Sequence, residues 1–247
     1  MSEAGEETKL QIVKRHRLST RLWHWINVTT VIIMTMSGLM ILNAHPRLYW
    51  GRYGANPDKA WLEVPEIPGW ATIPSYYSPA DARVWHLAFA WVLALGLTFY
   101  LLRSLWNGHV QRDLHITGQE WRPSHLWHDI KEHAALRFPT GEAALKYNVL
   151  QKIAYCGVLF VLLPLMILTG LAMSPAIDAA WHWLPELFGG RQSARSFHFI
   201  GLAGLVLFFL VHIAMVVLAG PVNEVRSMIT GWYRLPQDKA AQEKADA

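Results

Sequence analysis

The sequence predicts an all-α integral membrane protein, a bundle of four transmembrane helices, and three observations predict it. Four long apolar stretches, at residues 22–42, 84–102, 153–173 and 197–219, contain no Asp, Glu, Lys or Arg. Each matches the roughly 20 helical residues needed to cross ~30 Å of hydrocarbon. Of the 247 residues, 53% are hydrophobic and only 16% charged, yet 13 are Trp; Trp favours the membrane–water interface. Finally, Lys and Arg fall unevenly on the two sides that four spans would create. A soluble protein of buried helices is the alternative that spans of this length disfavour.

The spans predict their own orientation. The segment before span one holds Lys9, Lys14, Arg15, Arg17 and Arg21. The segment between spans two and three, with its flanks, holds Arg103, Arg112, Arg122, Lys131, Arg137, Lys146 and Lys152. The C-terminal segment adds Arg226, Arg234, Lys239 and Lys244, making sixteen on this side. The other side has six: Arg47, Arg52, Lys59, Arg83, Arg191 and Arg195. By the positive-inside rule both termini are expected in the cytoplasm of a bacterium, with the protein in the inner membrane. Residues 1–9 are short, polar and acidic, so span one is expected to serve as the insertion signal and to stay. Residues 1–234 are expected to form one membrane domain, and residues 235–247 a disordered tail. The third span carries Pro164, expected to kink it but tolerable within a bundle.

Composition excludes several chemistries. A single cysteine, Cys156, cannot supply an intramolecular disulfide, a thiolate zinc or iron–sulfur cluster, or a covalently attached haem. A net charge of +4 is too mild to imply nucleic acid as a partner.

Twelve residues are His, and four of them lie inside the spans: His24, His86, His198 and His212. Ionisable groups in a membrane helix are costly and usually functional. His198 and His212 are 14 residues apart on one helix, which is about −40° of rotation and ~21 Å of rise. They share a face but lie at opposite membrane levels. With the predicted orientation, His24 matches the depth of His212 on the cytoplasmic side, and His86 matches His198 on the periplasmic side. Two imidazole pairs at two levels are what two bis-histidine haems require. Zinc wants a third or fourth ligand at each level, and no span supplies Cys, Asp or Glu for it beyond Cys156. The competing readings are structural, hydrogen-bonded histidines and another metal.

The surroundings of these positions repeat. Arg21-Leu22-Trp23-His24, Arg83-Val84-Trp85-His86 and Arg195-Ser196-Phe197-His198 share Arg-x-aromatic-His. An Arg three residues before a ligand lies near the same face at the membrane edge. From there it can hold a haem propionate or merely snorkel to the interface. Spans one and three share Ser37-Gly38-Leu39 and Thr169-Gly170-Leu171, small residues that let a porphyrin or a neighbouring backbone approach closely. Aligned on these glycines as a degenerate repeat, Cys156 falls opposite His24 and Tyr100 opposite His212, so the third span brings no ligand.

On these residues the chain resembles the four-helix di-haem b-type cytochromes: bacterial cytochrome b561, the cytochrome b subunit of nickel–iron hydrogenases, and the gamma subunit of membrane formate dehydrogenases. The resemblance covers about residues 15–228. It is carried by Arg21-x-x-His24-Trp25, Arg83-x-x-His86, Arg195-x-x-His198 with His212, and Lys146-Tyr147-Asn148-x-x-Gln151-Lys152 before span three. The run Ser37-Gly38-Leu39 through His45-Pro46-Arg47-Leu48-Tyr49-Trp50-Gly51 is most similar to thiosulfate-reductase-type cytochrome b subunits. The resemblance implies two haem b groups, one held by His24 and His212 and one by His86 and His198. It also implies electron transfer between a quinone pool and a periplasmic redox subunit, expected to be a molybdopterin enzyme. In that family quinone binds beside the cytoplasmic-side haem, which makes Tyr147, Asn148 and Gln151 candidate quinone contacts. Capping of the helix start is the plainer role for Asn148 and Gln151.

The segment between spans one and two, residues 43–80, is rich in Pro and aromatics and cannot be one regular helix. It reads as a docking platform for the partner or as an aromatic lid over the cofactor. Residues 174–194, with Trp181-His182-Trp183, are expected to extend the same surface. Residues 107–147 carry His109, His115, His125, His128 and His133, and their centre reads as a short amphipathic helix at the interface. Those histidines form a solvated face, with a metal site or proton relay as the alternative. Two rival functions stay in view: a stand-alone quinone-coupled oxidase of a small periplasmic species such as superoxide, and a haem-free membrane anchor.

Overall fold

A computed structural model describes residues 11–55, 57–136, 141–145 and 147–235. Lys9, Lys146 of the quinone motif and residues 236–247 of the expected tail lie outside the described residues. In chain order the elements are strand β1 (Ile12–Lys14), helix α1 (Leu18–Asn43), strands β2 (Arg47–Leu48) and β3 (Leu62–Glu63), and helices α2 (Pro79–Trp106) and α3 (Pro123–Ala134). Helices α4 (Val149–Gly157) and α5 (Leu163–Met173), α6 (Pro175–Ala180), α7 (Trp183–Leu187), α8 (Arg191–Ala219) and α9 (Pro221–Thr230) follow, then strand β4 (Trp232–Arg234).

Four helices are long and apolar enough to cross a membrane: Leu18–Asn43, Pro79–Trp106, Val149–Met173 and Arg191–Ala219. All four extend beyond the apolar stretches, mostly at their N-terminal ends. Hydropathy stops at the first charge, whereas helical hydrogen bonding continues into the interface. At α2 the reason is local: Ser78 accepts from the Asp81 N–H as N-cap, and Pro79 opens the helix where its missing N–H costs nothing. The third span does not break at Pro164. A π-helical turn, Val158–Leu162, joins α4 to α5 immediately before it, shifting the backbone register where proline cannot donate.

Contacts divide the chain into two units. The larger contains Trp25–Arg112 and Ala154–Leu210. Its core draws on all four spans: Leu93 and Leu97 from α2, Leu163 and Met166 from α5, Leu205 from α8, with Met34 of α1 packed against them. A Cβ on Gly201 would lie 2.8 Å from Met166 Sδ, and one on Gly204 would lie 3.2 Å from Leu162 Cδ2. Bare backbone on α8 therefore lets the helices approach closely, the usual device of apolar helices that cannot associate by hydrophobic burial in lipid. Outward faces are strongly apolar and exposed, Val84, Leu95, Leu207 and Leu210 among them.

Within this unit, the described residues of the 44–78 segment form no long helix. Strands β2 and β3 pair antiparallel, with Arg47 opposite Glu63 and Leu48 opposite Leu62. The segment docks on the start of α8, whose Gln192 and Ser193 N–H groups both donate to Gly51 O at 3.1 Å. A loop carbonyl thereby satisfies two N–H groups that a helix start leaves without intrahelical partners. Ser193 Oγ accepts from the Gly51 N–H at 2.7 Å, and Arg52 pairs with Glu186 at 2.6 Å.

The smaller unit contains Met1–His24, Asp113–Ile153 and Val211–Ala247. Here β1 pairs antiparallel with β4, Ile12 opposite Arg234 and Lys14 opposite Trp232. Arg15 reinforces the join by an ion pair to Glu224 at 3.1 Å and by lying 4.3 Å over the Tyr233 ring. Leu235 is buried and its N–H donates to Gln11 O at 3.0 Å, so the chain stays packed on the β1 side through that residue. Helix α3 leaves Trp127 and Ile130 exposed, with Lys131 Nζ 5.4 Å from the Trp127 ring, as an interfacial helix would.

Candidate functional site

Each unit brings one histidine pair together. In the larger unit, His86 from the first turns of α2 faces His198 from α8, with ring centroids 6.2 Å apart and ring planes at 63°. In the smaller unit, His24 from α1 faces His212 from α8, with centroids 6.4 Å apart and planes at 55°. These are the two pairs that helical depth predicts. A metal–imidazole bond is about 2 Å and the ring centre lies about 1 Å beyond the nitrogen, so an iron midway needs centroids about 6 Å apart. Both spacings would let the two imidazoles of a pair, His86 with His198 or His24 with His212, hold one iron between them. No group of three or more His, Cys, Asp or Glu converges among the described residues, so the donor sets match a two-ligand haem and not a zinc cage. The five histidines of residues 107–147 form no such group either.

The surroundings of the His86–His198 pair explain a motif that the sequence leaves ambiguous. His86 Nδ1 lies 3.1 Å from Ser37 Oγ and 3.1 Å from Met34 O. His198 Nδ1 lies 2.9 Å from Thr169 Oγ1. Ser37 and Thr169 are fully buried. Beside them, a Cβ on Gly38 would lie 3.2 Å from His86 Cε1, and one on Gly170 would lie 3.5 Å from His198 Cε1. The Ser-Gly and Thr-Gly repeats thus face imidazoles. Sequence reasoning read them only as small residues; the available signal was a hydroxyl at the same place in two apolar spans.

The three arginines of the repeated pattern meet different surroundings. Arg195 donates from Nη1 to Arg47 O at 3.1 Å and from Nη2 to His45 O, so it clamps the loop over α8. Arg21 donates from Nη2 to Ile229 O. Arg83 is exposed on the first turns of α2.

At the start of α4, Asn148 and Gln151 form a reciprocal capping box. The Gln151 N–H donates to Asn148 Oδ1 at 2.9 Å, and the Asn148 N–H donates to Gln151 Oε1 at 3.2 Å. Asn148 Nδ2 is 3.0 Å from His133 Nε2. The cap uses Gln151 Oε1, so the side chain's other polar atom is its Nε2 donor. Tyr147 lies just before the helix, and burial raises its pKa above the usual phenol value. Lys152 turns to Glu120, 2.7 Å away, and to His115 O at 3.1 Å; its hydrogen bond holds Glu120 down to about 2.

The sequence profile of the prokaryotic cytochrome b561 family matches residues 15–231. A putative protein-methionine-sulfoxide reductase subunit YedZ1 of Azospira oryzae is 30% identical over 213 residues, 80% of this chain and 87% of the relative. A probable Ni/Fe-hydrogenase B-type cytochrome subunit of Azotobacter vinelandii is 24% identical over 233 residues, covering 89% and 87%. The putative cytochrome YdhU of Escherichia coli is 27% identical over 231 residues, covering 87% and 72%.

Proposed function

The chain belongs to the prokaryotic cytochrome b561 family, and from that premise we propose that it holds two haems and passes electrons between the quinone pool and a periplasmic oxidoreductase subunit. It is a multi-pass membrane protein and a b-type cytochrome of membrane electron transfer. The observation that carries the finer reading is the pair of imidazole pairs, each spaced for one iron and both using α8.

Bound haem supplies an iron that takes up and releases one electron at a time. His86 and His198 hold one haem, and His24 and His212 the other. The apolar side chains around Leu93, Met166 and Leu205 exclude water from the larger unit's interior, which favours the less charged state of a buried redox centre. Arg21, Arg83 and Arg195 stand near the helix ends as propionate partners, Arg195 while also clamping the loop. Gln151 Nε2 and Tyr147 are the donors offered to a quinone carbonyl, and Asn148 positions Gln151.

The His24–His212 pair faces the cytoplasm, with both termini on that side and the protein in the inner membrane, as the Lys and Arg distribution supports. The partner docks at the His86–His198 end. Relatives named as subunits of a reductase and of a hydrogenase support a separate redox subunit; the molybdopterin class follows from the resemblance to thiosulfate-reductase-type cytochromes.

A pyridine haemochrome assay on purified protein tests this. Two haems per chain are expected, with His198→Ala and His212→Ala each losing a different one. Two haems retained in both variants overturns the ligand assignment, and no haem in the parent protein leaves a membrane anchor.

A further inference from the structure

Ser37 and Thr169 each already spend their single hydroxyl proton on their own helix. Ser37 Oγ donates to Ile33 O at 2.7 Å, and Thr169 Oγ1 donates to Leu165 O at 2.6 Å. The second acceptor in reach is Met34 O at 3.2 Å in one case and Met166 O at 3.3 Å in the other. A hydroxyl whose proton is committed can only accept from a third group. The imidazole nitrogen beside it must therefore be the donor. At His86 a second, independent contact requires the same thing, because Met34 O can only accept.

From this we infer that Ser37 and Thr169 are positioning residues that hold His86 and His198 in the Nδ1–H tautomer, with Nε2 presented to the metal. The inference rests on the proposed ligand assignment and adds the device that orients it. Helices α1 and α5 bring no ligand to this pair; each brings a hydroxyl and a glycine instead. The contacts are matched: hydroxyl to Nδ1 at 3.1 and 2.9 Å, glycine against Cε1 on the adjoining side. The glycine leaves room for the ring and the hydroxyl sets its rotation and proton, so both halves of the repeated dipeptide act on the same imidazole. Partners on the far nitrogen fix ring orientation and raise ligand basicity, and their loss typically costs ~10–100-fold in metal affinity.

The test is haem release from the purified, fully loaded protein into excess apomyoglobin, read with the low-spin EPR spectrum of the oxidised protein. Ser37→Ala and Thr169→Val are expected to release one of the two haems about 10–100-fold faster and to move only that haem's EPR line. Ser37→Thr and Thr169→Ser, which keep the hydroxyl, are expected to behave as the parent. Two independent sites keep the test alive if one variant does not accumulate. Parent-like release and EPR in both hydroxyl-free variants, with His86→Ala and His198→Ala lacking that haem, overturns the positioning role alone. Both haems retained in His86→Ala and His198→Ala overturns the ligand assignment on which it rests.

Discussion

Trp61 donates its Nε1–H to Ser196 Oγ at 2.8 Å, and the same hydroxyl donates onward to Tyr49 O at 2.6 Å. Ser196 is fully buried and stands two residues before His198. One hydroxyl thus ties two points of the 44–78 segment to the helix that carries His198. Trp50 completes the contact, stacked on Trp61 at 5.4 Å and edge-on to Phe197 at 5.3 Å. Ser196→Ala takes the acceptor from the Trp61 indole N–H and the donor from the carbonyl of the buried Tyr49, at a cost of about 1–3 kcal/mol. A lowered thermal midpoint with altered Trp fluorescence is expected; an unchanged midpoint would remove this hydroxyl from the stability of the loop.

The two motif glycines predict unequal effects. Gly38→Ala drives a methyl to 3.2 Å from His86 Cε1, tighter than ordinary contact, whereas Gly170→Ala meets His198 Cε1 at 3.5 Å. Haem content after purification is expected to fall further in Gly38→Ala than in Gly170→Ala, since a ring displaced within a close-packed interior cannot keep its ligand geometry. Equal occupancy in the two variants contradicts this ranking.

Gly190 predicts a backbone effect. Its φ is +112°, and a Cβ there would lie 2.7 Å from Arg52 Cα and 2.7 Å from Gly51 O. Gly189 has φ +79° but meets nothing closer than Ser193 Oγ at 3.7 Å. Gly189→Ala incurs left-handed strain of order 1–3 kcal/mol, and Gly190→Ala adds a backbone clash. Unfolding midpoints are expected to fall in the order parent, Gly189→Ala, Gly190→Ala.

The capping box separates structure from quinone chemistry at Gln151. Gln151→Glu keeps an oxygen for the Asn148 N–H but removes the amide donor. Gln151→Ala removes both, with a cap loss of about 1 kcal/mol. Gln151→Glu is expected to raise the quinone KM with little change in thermal midpoint. A quinone KM equal to that of the parent protein in both variants confines Gln151 to capping.

His16 predicts a pH dependence. Burial, aided by the charges of Arg15 and Arg21, lowers its pKa from the ordinary 6.5 to about 4. The unfolded chain then binds the proton that the folded chain refuses, so stability falls as pH drops from about 6.5 towards 4 and the effect is absent above 7. His16→Gln is expected to flatten this part of the profile. The difference in thermal midpoint between parent and variant, followed from pH 7.5 to 4.5, checks it.

Whatever depends on spacing along one helix is legible in the chain of residues alone. Four charge-free stretches require four spans because backbone polar groups in lipid must be satisfied within a helix. His198 and His212 share a face because 14 residues is nearly a whole number of turns. Their depth-matched partners, His24 and His86, follow from the alternating direction of the spans. The cue for Asn148 and Gln151 was also local, since a capping box closes within four residues. Contacts between distant segments were not legible. Nothing near Ser37 announces an imidazole 49 residues away, and the pairing of Ile12–Lys14 with Trp232–Arg234 joins opposite ends of the chain. Arg195 fitted a pattern shared with Arg21 and Arg83, yet its guanidinium goes to the His45 and Arg47 carbonyls. Periodicity places a side chain on a face and at a depth. Which acceptor it meets there, and so which ring nitrogen of His86 carries the proton, is decided by the packing of one helix against another.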